Sequence, residues 1–277
     1  MTKLLRSKLD LGGAAKPPAR RHELGSFTVT FPAAGVLSIY LVMLVVDAVL
    51  IVLTLLSDLK VDFALSGLAR QFDLKLEGNF AVWYSSLLLL LSGLGAFCVG
   101  QMMRRRECHR FSPLLWWFAA MSFVGLSIDE TARLHEKIGI KFVTHFGTVP
   151  GLTDGAVPAF AWLLALAPLF VLFVICMLVA ARQIALVNSR SRNLLLAGVA
   201  CWMGVLAAEF TQAQLQRAGM ERSIQGVIEE GLEILGATLF LFAFVEACRI
   251  SAGRVGAPPG LRARDAQKAA EECGTAT

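Results

Sequence analysis

Apolar residues in this chain fall into long blocks, at roughly 33–57, 79–103, 111–128, 158–181, 193–210 and 226–248, with polar stretches between them. An α-helix rises 1.5 Å per residue, so about 20 apolar residues cross a hydrocarbon layer about 30 Å thick. The pattern predicts an all-α fold, a polytopic membrane bundle of six transmembrane helices. The third helix is expected to continue through the polar stretch that follows it, as far as Ile138. Residues 58–78 read as a mixed-charge loop with a short amphipathic helix over 61–72, and residues 139–157 as a Gly- and Pro-rich loop containing His145. Residues 1–32 form a basic tail, 33–248 the six-helix domain and 249–277 a disordered tail. Small residues mark two packing faces, Ser92, Gly93 and Gly95 on the second helix and Ala200, Gly204 and Ala208 on the fifth. Trp83 and Tyr84 read as an interfacial aromatic belt.

Composition agrees with the pattern. Of 277 residues, 56% are hydrophobic and 17% charged, and the mean hydropathy is +0.63. A soluble domain carries about 25% charge. The net charge of +5 is not a nucleic-acid signal, because 18 of the 26 Lys and Arg fall in the two tails and in the loops at 104–110 and 182–192. That bias puts both termini of a multi-pass membrane protein in the cytosol. The lipid bilayer is then the obligatory partner. None of the six cysteines falls in an outward loop and no C-x-x-C pair exists, so neither a disulfide framework nor a zinc knuckle is expected.

With this topology, acid collects at one side. Glu77 precedes the second helix, Asp129 and Glu130 end the third, Glu209 lies near the end of the fifth, and Glu229, Glu230 and Glu233 open the sixth. Residues three or four apart share a helix face, so the last three lie together. His135 and Glu136 follow Asp129 within two turns. In a straight helix His135 is off the Asp129 face, so His135 joins the site only if the helix bends or ends between them. Arg133, four residues from Asp129, is placed to pair with it. Carboxylates are expensive in lipid, and several are tolerated where they face one another and share protons, cations or a metal. Carboxylates with His suit a divalent ion, here Fe, Mn, Mg or Ca, and closely placed carboxylates suit acid–base work. The expected catalytic residues are Asp129, Glu130 and Ser127, and the expected metal ligands are Glu209, Glu229, Glu230, Glu233 and His135. Asp47, alone in the middle of the first helix, is a transport candidate. Glu246, three residues before Arg249, reads as half of a surface ion pair.

The segments S-I-D-E-T-A-R-L-H-E (127–136), E-G-N-F-A-V-W-Y-S-S-L-L-L-L-L (77–91) and E-E-G-L-E (229–233) together resemble a group of bacterial multi-pass membrane proteins of unassigned activity. That resemblance covers about a third of the chain and implies a six-helix inner-membrane protein. A looser likeness is to membrane hydrolases related to alkaline ceramidases, which hold zinc between Ser, Asp and three His. This chain has Ser127, Asp129 and His135 but lacks a late helical His pair.

Three functions follow from these residues. One is a metal-dependent enzyme embedded in the membrane, with a periplasm-facing carboxylate and His cluster acting on a lipid or small molecule. A second is a proton- or cation-coupled carrier that uses Asp47. The third is a structural or sensory membrane subunit without chemistry of its own.

Overall fold

The computed structural model describes residues 32–58, 70–76, 78–104, 113–147, 161–185, 188–217 and 223–255. Among them it is all-helical: α1 (Ala33–Asp58), a single 3-10 turn (Arg70–Phe72), α2 (Phe80–Arg104), α3 (Pro113–Ala132), α4 (Leu134–Phe146), α5 (Ala161–Ala185), α6 (Ser189–Arg217) and α7 (Ser223–Val255). Five of these, α1, α2, α5, α6 and α7, are long and apolar enough to cross a membrane. The tail 1–31, the loop 105–112, Glu77 and most of the expected amphipathic helix over 61–72 lie outside the described residues.

Several expected boundaries differ. The third helix stops at Ala132, and a separate helix begins at Leu134. Much of the expected 139–157 loop is α4, on which Leu134, Ile138, Phe142 and Phe146 form a stripe at four-residue spacing. That periodic stripe outweighs the single Gly139, which is buried. The last helix runs past Arg249 to Val255, beyond the expected start of the tail.

α7 is the most buried of the five long helices and packs against α6, α2 and α1. Phe123 of α3 lies at the centre of the core, its ring 5.1 Å from Phe240, 5.4 Å from Phe173 and 5.8 Å from Phe244. In lipid, close packing of this kind replaces hydrophobic exclusion as the force between helices. Glycines bring the backbones together. A Cβ on Gly95 would lie 2.9 Å from Phe244, and one on Gly93 would lie 3.0 Å from the Ala120 carbonyl. On α6 the seam is made by Gly198, against Phe240, and Gly204, against Leu232. Ala200, expected on that face, is exposed.

α1 lies at the rim. Leu37, Leu41, Val42, Val45, Val49 and Val52 are exposed, while Val36, Asp47, Leu50 and Thr54 are buried. The inward residues recur every three or four positions, as one helix face requires. The segment after α1 is strapped back onto it. Leu74 N–H donates to Thr54 Oγ1 at 2.9 Å, and Ser57 donates to Asp73 at 3.0 Å. Asn79 caps α2 by accepting the Val82 N–H at 3.0 Å.

Candidate functional site

The site begins where α3 breaks. Arg133 has φ 48° and ψ 50°, the only non-glycine residue in the left-handed region among the described residues. A side chain there costs about 1–2 kcal/mol, and the Asp129 carboxylate supplies the compensation. Its Oδ1 accepts the His135 N–H at 2.7 Å, so Asp129 caps the first turn of α4 from the preceding helix. Its Oδ2 accepts from His135 Nδ1 at 2.6 Å. The helix therefore ends between Asp129 and His135, as their meeting requires. With Nδ1 held by a carboxylate, Nε2 is the ring nitrogen left for other work. Burial of His135 opposes its protonation, but the hydrogen bond and charge of Asp129 prevail and hold its pKa above the usual 6.5. Arg133 reaches Glu136 at 3.2 Å.

α5 adds the next contact. Trp162, in its first turn, sets its ring edge against His135 with centroids 5.2 Å apart. The indole Nε1 donates to Glu209 Oε1 of α6 at 2.7 Å. Glu209 and His135 stand in each other's field. Nothing in the sequence marked Trp162 beyond its position at the head of an apolar block.

α7 supplies the other side. Glu233 lies in the field of Glu130 first, then of Glu230, Glu229 and Asp129. Glu230 faces Glu130 and Glu229, with Arg133 beside them, and Glu229 faces Glu209 and His135. Ser85 of α2, buried, is turned to the Glu130 side chain. Carboxylates of α3, α6 and α7 thus meet at one end of the bundle. Each has protein around much of its head and is partly exposed.

Ser127 does not join them. Its hydroxyl lies 2.9 Å from Ser86 Oγ, and its carbonyl accepts the Ser86 hydroxyl at 2.8 Å, a clasp between α2 and α3. His145 is exposed on α4 and has its ring against Phe146. Among the described residues, no three His, Cys, Asp or Glu side chains are placed to hold a metal ion. Both Asp129 oxygens are occupied by His135, and Glu209 Oε1 by Trp162.

Asp47 is elsewhere, between α1, α2 and α7, and only 2% exposed. Tyr84 donates to its Oδ1 at 3.1 Å. Tyr84 is therefore turned into the bundle, while its neighbour Trp83 is 56% exposed, as a belt residue would be. At the opposite end of α7, Glu246 takes Arg249 on both oxygens at 2.8 Å. That pair is as expected, except that Glu246 is buried.

A family model described as a domain of unknown function, DUF8692, matches residues 36–248. No curated protein and no solved structure matches the chain.

Proposed function

We propose a function for a chain that belongs to the DUF8692 family: a bacterial inner-membrane protein that does acid–base work on a cationic small molecule or lipid headgroup. In this reading α3, 20 residues long, is the sixth span, since its length reaches about 30 Å. Both termini are cytosolic, and the carboxylate cleft opens to the periplasm.

The observation that carries the reading is that Glu233 of α7 lies within the electrostatic field of Glu130 and, least of the four acids around it, of Asp129 on α3. Six carboxylates, Asp129, Glu130, Glu209, Glu229, Glu230 and Glu233, outnumber the cations His135 and Arg133 that stand in their field. Such a cleft concentrates positive ligands and rejects anions. Within it, His135 is the proton carrier. Asp129 fixes its ring and stabilises its charged form, and the Trp162 edge limits its tilt. Glu130 and Glu233 receive the cationic group and take up its proton or yield one to it.

The test is ligand-dependent thermal stability of the detergent-purified protein, with choline, sodium and sulfate as probes. Choline or sodium should stabilise the wild type and sulfate should not. In Glu130→Gln/Glu233→Gln the cation effect should require at least about tenfold more ligand, a loss of about 1.4 kcal/mol. No stabilisation by any cation, or an equal response in the double variant, would overturn the reading.

A further inference from the structure

Two buried oxygens in the middle of the bundle have no hydrogen-bond partner. They are Asp47 Oδ2 of α1 and Thr238 Oγ1 of α7. Asp47 is 2% exposed and Thr238 fully buried. The two side chains face one another, and Tyr84 of α2 holds the other Asp47 oxygen at 3.1 Å. The Thr238 hydroxyl can donate to an ionised Asp47 and accept from a protonated one, so the pair accommodates a proton arriving or leaving.

The surroundings extend this pair in both directions. Toward the acidic end, Thr238 lies five residues from Glu233 on α7, about 7.5 Å along the axis. Tyr84 is the chain neighbour of Ser85, which faces Glu130. Toward the other end, Tyr40 lies two turns from Asp47 on the inward face of α1 and feels its charge. Tyr40 borders a cavity of about 30 Å³ that is also lined by Arg190, Glu246 and Arg249, large enough for a water molecule. No other titratable side chain is in contact with Asp47 among the described residues.

We propose that Asp47 is the central station of a proton path along the α1–α7 seam. The path enters at Glu130, Glu230 and Glu233 and leaves by Tyr40 and the Arg190–Glu246–Arg249 cavity. In the inward step, an O–H bond at Glu233 breaks and its proton passes by water to the Thr238 hydroxyl, which gives up its own proton to Asp47 Oδ2 as it takes the new one. In the outward step, the Asp47 O–H breaks and its proton passes by water to the Tyr40 hydroxyl, which relays it in the same way. One positive charge crosses per cycle, with no oxidant and no covalent intermediate. The path rests on the carboxylate cleft as its entrance, but its decisive residue lies outside that cleft.

The test reconstitutes the full chain in phosphatidylcholine liposomes that contain a pH-sensitive dye, with a potassium diffusion potential set by valinomycin. Wild-type vesicles should acidify several-fold faster than protein-free ones. Asp47→Asn should fall to the protein-free rate, and Tyr84→Phe should retain an intermediate rate. Infrared spectra of the same samples should show a carboxylic-acid carbonyl band that shifts in D2O and is missing in Asp47→Asn. This band is readable in the wild type alone, should the variant fail to fold. Wild-type flux equal to that of empty vesicles, flux undiminished in Asp47→Asn, or a missing band in the wild type would each overturn the proposal. Loss of cation binding in Glu130→Gln/Glu233→Gln is read separately by thermal stability, so failure of the cleft is not mistaken for failure of the path.

Discussion

Replacing Asp129 by Ala removes two interactions at once, and the structure says how the loss divides. One is the cap on the His135 N–H, worth about 1 kcal/mol. The other is the bond to the imidazole, worth about 1.5–3 kcal/mol for a charged partner. The side chains are 24% and 31% exposed, so water screens the pair in part and the lower figure applies. The expected loss is about 2–3 kcal/mol, against about 1.5 for His135→Ala, which keeps the cap. A cycle closed with the double variant should return a coupling of about 1–2 kcal/mol. The pH dependence has a definite sign. Folding raises the His135 pKa, so the folded chain binds that proton more tightly than the unfolded chain does. This stabilisation is complete below the unfolded value of 6.5 and is lost as pH rises through the folded value. Wild-type stability should therefore fall more steeply above about pH 6.5 than that of Asp129→Ala. Chemical unfolding in mixed micelles, followed by circular dichroism across that range, measures both. If Asp129→Ala costs no more than His135→Ala, or if the two proteins share one pH profile, the double role of Asp129 is refuted.

Four further outcomes follow. Arg133→Gly should relieve the left-handed backbone and return up to about 1 kcal/mol, less whatever the exposed pair with Glu136 contributes, measured in the same unfolding assay. Gly236→Ala should drive a methyl into Trp202 and cost about 1–3 kcal/mol, with a change in indole fluorescence. Ser127→Ala should cost about 1 kcal/mol through the lost contact with Ser86 and leave cation binding intact. Loss of that binding would return Ser127 to the site. Trp162→Phe should free Glu209 Oε1 and weaken the packing of His135, seen as a changed His135 titration by NMR.

Much of the fold was legible because a membrane span has one dominant requirement, an unbroken apolar block of the right length. The blocks expected at 33–57 and 79–103 correspond to Ala33–Asp58 and Phe80–Arg104. The break at Arg133 was not legible. Arginine has no preference for the left-handed region, and the conformation exists only because a carboxylate one turn earlier rewards it. Asp47 stood out as a lone acid in an apolar block, but its partners did not. Tyr84 lies 37 residues away and read as an interfacial ring, while Thr238 looked like any small residue in a core helix. The acids of the cleft could be grouped by helix ends, whereas the tie between Glu209 and His135 through Trp162 depends on three helices meeting.

The seam between α6 and α7 has a mechanical consequence. At Gly198, Gly204 and Gly236 the two helices lie nearly main chain to main chain, with Phe240, Leu232 and Trp202 filling the space that side chains would take. Two rods interlocked in this way move as one stiff plank. That stiffness opposes widening of the mouth between them, so breathing falls to the pieces outside the plank: the rim rod α1, packed on α7, and the short flap that starts at Leu134, packed on α5.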